Sequence, residues 1–212
     1  GEDAEGVLLV ALRETPADAS GVEDALTALA DLCAVAIRNA RLQNALLERA
    51  DWMERVASTD TLTGLANRAT LLRMLELEIA RATRQGTPVS LVTFEVDDFE
   101  GLNQRAGGAV ADEVLRLVAS TLADQVRLVD TVGRLGPAEF GLIAPGAGGA
   151  IVGRRVQEAA RSIEAGGQPV SLSAGSAVSS AEAGSADQLL ATAGAALAEA
   201  KRRGPGQLAG AV

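Results

Sequence analysis

The chain has 212 residues, 48% of them hydrophobic, enough to bury a sizeable core in one ordinary domain with an appendage. Its formal net charge of -9 argues against a general nucleic-acid binder, and with no histidine a His-based triad or His-ligated zinc site is excluded, which leaves carboxylates with Mg2+ or Mn2+ for any metal chemistry. The single cysteine, Cys33, rules out an internal disulfide framework; with no apolar run near the ~18 residues of a membrane helix and no visible signal peptide, the chain is expected to be cytoplasmic, with no membrane segment.

Val7–Leu12 (VLLVAL) predicts a short buried strand, followed by a turn at Thr15-Pro16. Ser20-Gly21-Val22-Glu23 reads as a capping box. The absence of proline from there to Val56 predicts a helix of roughly 35 residues, about 50 Å long. Its apolar stripe includes Val22, Leu26, Leu29, Cys33, Ala36, Ala40 and Leu47, with Asn44 also on the stripe, where a polar residue can fix register. Two readings stand: a parallel coiled coil through Ser20–Val56 that dimerises the protein and transmits a signal, or a helix packed on its own domain.

Asp60–Arg68 (DTLTGLANR) is a turn-rich break before a predicted helix over Ala69–Arg84. Val89–Val96 (VSLVTFEV) is almost continuously apolar, as a central strand must be. A helix is predicted over Val110–Arg127, then strands Thr131–Leu135 and Phe140–Ala144 joined in a hairpin by Gly136-Pro137-Ala138-Glu139. The remaining order is helix Ile151–Glu164, strand Pro169–Val178, helix Ala186–Arg203 and a short strand near Leu208–Val212. Helices alternating with strands, plus one hairpin, predict an α/β sandwich.

Carboxylates stand at the carboxyl end of the central strand, in Glu95-Val96-Asp97-Asp98, where α/β sheets place their sites. Glu95 and Asp97 share a face by the period-2 alternation of a strand. They are either a hard-metal site or ordinary turn acids where the strand runs out into solvent.

Six segments decide the context. Asp60-x-Leu62-Thr63-Gly64-Leu65-x-Asn67-Arg68 resembles the opening signature of GGDEF (diguanylate-cyclase-like) domains, and the strand running into Asp97-Asp98-Phe99-Glu100-Gly101-Leu102-Asn103 resembles their D-x-D-x-F-K-x-x-N segment. Asp112-Glu113-Val114-Leu115 resembles the G-D-E-V-L helix start, and Gly136-Pro137-Ala138-Glu139-Phe140 occupies the place of the GGDEF motif itself. Ser173-Ala174-Gly175 and Ala200-Lys201-Arg202-Arg203-Gly204 are similar to the closing pieces. The resemblance implies a palm-like nucleotidyl-cyclase sandwich over residues 57–212, with a central, mainly antiparallel sheet and flanking helices, preceded by the long N-terminal helix. In active relatives two such domains, each holding GTP and two Mg2+, face each other and join their GTPs into cyclic di-GMP; the metals lower the pKa of the attacking hydroxyl.

Carried over residue by residue, the resemblance is damaged at the chemistry. The first metal-binding aspartate is Glu95 here, a methylene longer, while Val96 still offers its backbone carbonyl. The metal-bridging acid of the motif is Ala138, whose methyl binds no metal. The second glycine is Pro137, which loses an N–H and fixes φ. Glu139 keeps the fourth position, as the one catalytic candidate left in the motif, and Phe140 the fifth; Glu139 and Asp97 are the carboxylates that could rescue a metal. Asn103 and Asp112 match the guanine-reading pair, and Lys201, the only lysine of the chain, matches the phosphate lysine. The arginine expected four positions later is Pro205. Mg2+ or Mn2+ binding is therefore expected to be impaired and guanine recognition largely retained.

Arg127-Leu128-Val129-Asp130 is an R-x-x-D at the position of the family's inhibitory cyclic di-GMP site. An arginine fork suits guanine O6 and N7, and a carboxylate accepts from guanine N1–H and N2–H. A surface ion pair at a helix end is the plainer reading of the spacing. Arg154, Arg155 or Arg161 would complete such a pocket. The segment around Ala34–Leu42 resembles the end of a GAF sensory domain, so residues 1–56 are expected to be a GAF remnant with a dimerisation arm, cut from a longer protein or kept as such. Four functions are open: a cyclic di-GMP receptor with an inactive cyclase domain, a weak diguanylate cyclase using Glu95 and Glu139, a GTP-binding regulatory domain, and a dimerisation module without a ligand.

Overall fold

The computed structural model describes residues 9–11, 18–165, 167–179 and 185–210, with the backbone alone for residues 19 and 50–56. The chain divides into two compact units, residues 1–55 and 56–212.

In the first unit Leu9–Ala11 are exposed and carry no strand; the rest of the predicted strand Val7–Leu12 lies outside the described residues. Helix α1 spans Ala19–Ser58, 40 residues, longer than expected at both ends. Its cap is Asp18 rather than Ser20: Gly21 N donates to Asp18 Oδ1 at 2.9 Å. A charged acceptor at a helix N-terminus answers both the free N–H groups and the dipole. Leu29, Leu32, Leu42, Leu46 and Leu47 are exposed along α1, as is Cys33. Among the described residues no helix is long and apolar enough to cross a membrane.

The second unit is a three-layer sandwich. Its sheet has the order β2-β3-β1-β6-β7: β1 Val89–Val96, β2 Thr131–Arg134, β3 Glu139–Pro145, β6 Leu172–Val178 and β7 Leu208–Gly210. Only β6 and β7 pair in parallel. The central β1 alternates its side chains between two cores. Val92, Phe94 and Val96 pack with Val114, Leu115 and Val118 of α4 (Gly108–Gln125) and Val156 of α5 (Gly149–Ala160). Leu91 packs on the other face with Leu71 and Leu75 of α2 (Arg68–Gln85) and with Leu189 and Ala193 of α6 (Ala186–Arg202). Gly175 lets α6 approach the sheet: a Cβ there would stand 2.1 Å from Ala193 O.

Several boundaries differ from those predicted. The segment before α4 forms its own helix, α3 (Phe99–Ala106), which buries no side chain completely, although Phe99 and Leu102 pack partly buried against the core. Gly107, at φ 85°, ends α3 and opens α4, which stops at Gln125. Helix α5 ends at Ala160; of the residues expected to extend it, Arg161 and Ser162 form a turn and Glu164 opens a small hairpin, β4 (Glu164–Ala165) with β5 (Gln168–Pro169), with Gly167 at positive φ before β5. Strand β6 accordingly begins at Leu172 rather than Pro169. Residues 211–212 of the last predicted strand lie outside the described residues.

Candidate functional site

The site is built where β1 ends beside the β2–β3 turn. Glu95 lies directly opposite Glu139 in the β1–β3 register. Both line a cleft of about 380 Å³ with Arg68, Leu135 and Lys201. Lys201, on the last turn of α6, donates to Glu95 Oε1 at 2.6 Å. Val96 enters through its backbone: its N–H donates to Ala138 O at 3.1 Å, while its side chain is in the core. Ala138 is 9% exposed, its methyl packed into the same core as Phe94 and Phe140. The carboxylate of Glu139 folds back over Gly136, reaching within 3.0 Å of where a Cβ on that glycine would stand.

Asp97 is on the same face as Glu95, yet the structure commits it elsewhere. It accepts from Ser171 Oγ and Ser173 Oγ at 2.6 Å each and from Gly206 N at 2.8 Å, which ties the end of β1 to β6 and to the approach of β7. Asp98 adopts φ 48° before α3 and pairs with Arg105 at 2.9 Å. Asn103 and Asp112 are both exposed, on the packed helices α3 and α4, on either side of the Gly107 link.

Arg127–Asp130 forms a compact turn after α4. Asp130 Oδ2 accepts from the Arg127 amide at 2.8 Å, and Asp130 N donates to Arg127 O at 3.0 Å. The carboxylate thus holds the turn rather than the guanidinium, and the Arg127 side chain is exposed. Leu128 and Val129 project between them, 104% and 67% exposed. Of the three arginines considered for this pocket, Arg155 is anchored beside it by a hydrogen bond to Gln125 O at the end of α4. Arg161 pairs with Glu158, and Arg154 is exposed.

Sequence reasoning missed Arg134. Its Nη1 donates to both Asp60 oxygens (3.1 and 3.2 Å), its Nε to Gly136 O (3.1 Å) and its Nη2 to Pro137 O (2.6 Å). Asp60 also accepts from Thr63 N and Oγ1, and Arg68 Nη1 donates to Leu135 O. Burial pulls the Asp60 carboxyl upward, but the bonds from Thr63 and then the bond and charge of Arg134 outweigh it and hold the group below its ordinary range. The DTLTGL turn and the motif turn are therefore one hydrogen-bonded body. An arginine two residues before Gly136, on a short strand, was the available signal.

The family model described as "Diguanylate cyclase, GGDEF domain" matches residues 57–207. The chain belongs to the GGDEF family. A Pseudomonas aeruginosa relative, diguanylate cyclase DgcP, is 33% identical over 189 residues, 79% of this chain and 28% of DgcP. The response regulator PleD of Caulobacter vibrioides is 38% identical over 109 residues, 51% of this chain and 24% of PleD. The chain thus spans about a quarter of the length of these curated relatives. The solved coiled coil and GGDEF domain of DgcB from Caulobacter crescentus, in complex with c-di-GMP, matches with a TM-score of 0.75 at 28% identity, covering 84% of this chain and 98% of that one. The diguanylate cyclase SiaD of Pseudomonas aeruginosa, solved with its activator SiaC, matches with a TM-score of 0.68 at 30% identity, covering 89% and 75%. The mixed α/β sandwich is that of solved GGDEF domains.

GGDEF domains use divalent metals with GTP. Here Ala138 presents a buried methyl, Asp97 accepts from three donors, Glu95 is paired with Lys201, and among the described residues no three or more acids or cysteines are grouped as a metal site would need.

Proposed function

We propose that this chain is a cyclic di-GMP signalling protein whose GGDEF domain binds cyclic di-GMP at Arg127 and Asp130 and does not synthesise it. One observation carries this reading: an exposed Arg127 side chain on a turn braced by Asp130, in a domain whose metal-bridging position is a buried alanine methyl. The exposed guanidinium can fork onto guanine O6 and N7, on the turn that Asp130 braces, with Arg155 anchored to Gln125 O at the end of α4. Solved relatives such as the DgcB domain are described in complex with c-di-GMP, which supports the ligand. Residues 57–212 form the GGDEF domain in this proposal, and residues 1–56 a GAF remnant and signalling arm. Two copies would join as a parallel homodimer through Ser20–Val56, covering the exposed leucines of α1, in the cytoplasm. Calorimetric titration with cyclic di-GMP tests the reading: saturable binding abolished by Arg127→Ala, with the fold intact, is expected, and unchanged affinity in that variant would refute it.

A second reading rests on Asn103 and Asp112, exposed on either side of the α3–α4 link, with Lys201 as a phosphate ligand: a domain that binds GTP as a regulator. Its mark is GTP binding weakened by Asp112→Ala.

A further inference from the structure

Glu95 and Glu139 stand opposite each other on neighbouring strands and face one cleft. Like charges so placed destabilise a sheet, and they call for a cation or a shifted protonation. The structure supplies the cation from the chain itself. Lys201 Nζ is 2.6 Å from Glu95 Oε1, and the two side chains are only partly exposed. Its position at the end of α6 is also the favourable end of the helix dipole for a positive charge.

We propose that Lys201 is the resident cation of this cleft: it neutralises Glu95, which stands opposite Glu139, in place of a metal ion, so the cleft takes no divalent cation, and a guanine nucleotide entering it does so metal-free. A divalent ion needs several oxygens converging at roughly 2.0–2.6 Å, and Glu95, the acid at the head of the cleft, is held by Lys201 while its neighbours are engaged elsewhere. Asp97 is bound to Ser171, Ser173 and Gly206, Asp98 to Arg105, and Ala138 contributes no oxygen. An ammonium is a compact charge with three donors; Glu95 uses one, and two remain for a phosphate oxygen. The inference extends the inactive half of the proposed function and stands apart from the Arg127–Asp130 turn.

The test is Mn2+ titration of the purified chain, read by electron paramagnetic resonance and by thermal melting with Mn2+ against chelator. Wild type and Lys201→Arg are expected to show no saturable Mn2+ binding and no melting shift. Lys201→Met removes the internal cation, frees the Glu95 carboxylate opposite Glu139, and is expected to gain Mn2+ binding, with a Mn2+-dependent rise in midpoint of roughly 2–4 °C. Saturable Mn2+ binding by the wild type that Glu95→Ala removes would overturn the proposal, as would a folded Lys201→Met as blind to Mn2+ as the wild type. If Lys201→Met does not fold, Lys201→Gln takes its place, and the wild-type titration alone can still overturn the proposal. Failure to bind cyclic di-GMP would refute the proposed function and leave this result untouched.

Discussion

Arg134→Ala should loosen the motif turn more than any exposed charge substitution. It removes the donors to both Asp60 oxygens and to the carbonyls of Gly136 and Pro137. Hydrogen bonds to charged groups contribute roughly 1.5–3 kcal/mol each when buried. Here the Arg134 and Asp60 side chains are 15% and 23% exposed, so water recovers part of the loss. A destabilisation of about 2–3 kcal/mol follows, or roughly 5–10 °C in midpoint for a chain of this size. Arg116→Ala is the control: its pair with Glu113 has the same kind of partners, but both side chains are about half exposed, so it should cost under about 0.5 kcal/mol. Urea unfolding followed by circular dichroism measures both. The folded pKa of Asp60 is depressed, so its contribution is full above the unfolded value near ~3.9 and is lost as pH falls through the lower folded value. The gap between wild type and Arg134→Ala should therefore persist from about pH 7 to pH 5 and narrow as pH falls below the unfolded value. Equal losses in Arg134→Ala and Arg116→Ala, or a gap that does not narrow in acid, would refute the reasoning.

Three further outcomes follow from the same geometry. With GTP and Mn2+, sensitive product detection should find no cyclic di-GMP above that of a Glu95→Ala control; Glu95-dependent product would refute the inactive assignment. Ser173→Ala removes one of the three donors to Asp97 in a fully buried position, and should cost about 1–2 kcal/mol in urea unfolding; a loss within experimental error would mean that Asp97 does not tie the strands. Leu29→Lys on α1 should shift sedimentation from dimer to monomer while leaving the domain's secondary structure unchanged; an unchanged dimer would move the proposed interface off this helix.

Legibility in the sequence tracked how far each element declares itself locally. Strand β1 was predicted to the residue because an almost continuously apolar run starts after Thr87-Pro88 and gives way to Asp97-Asp98. The hairpin was equally plain, with turn residues between two short apolar strands. Helix α3 was missed because its eight residues include Gly101 and its start depends on Asp98 adopting a left-handed backbone, which no periodicity announces. The end of α5 was misplaced because Ile163 and Ala165 continue an apolar pattern, although they belong to the loop and hairpin that cover the core. At the candidate site, residue types at motif positions singled out Glu95, Ala138 and Lys201, but not their contacts. The pairing of Lys201 with Glu95, of Asp97 with two serines and of Arg134 with Asp60 joins residues 74 to 106 positions apart, which spacing does not reveal.

The most direct test of the account is calorimetric titration of the purified chain with cyclic di-GMP in chelator, alongside Arg127→Ala. Saturable binding that needs no metal and disappears in the variant is the predicted result. No heat from the wild type, or binding that survives the loss of Arg127, would contradict it.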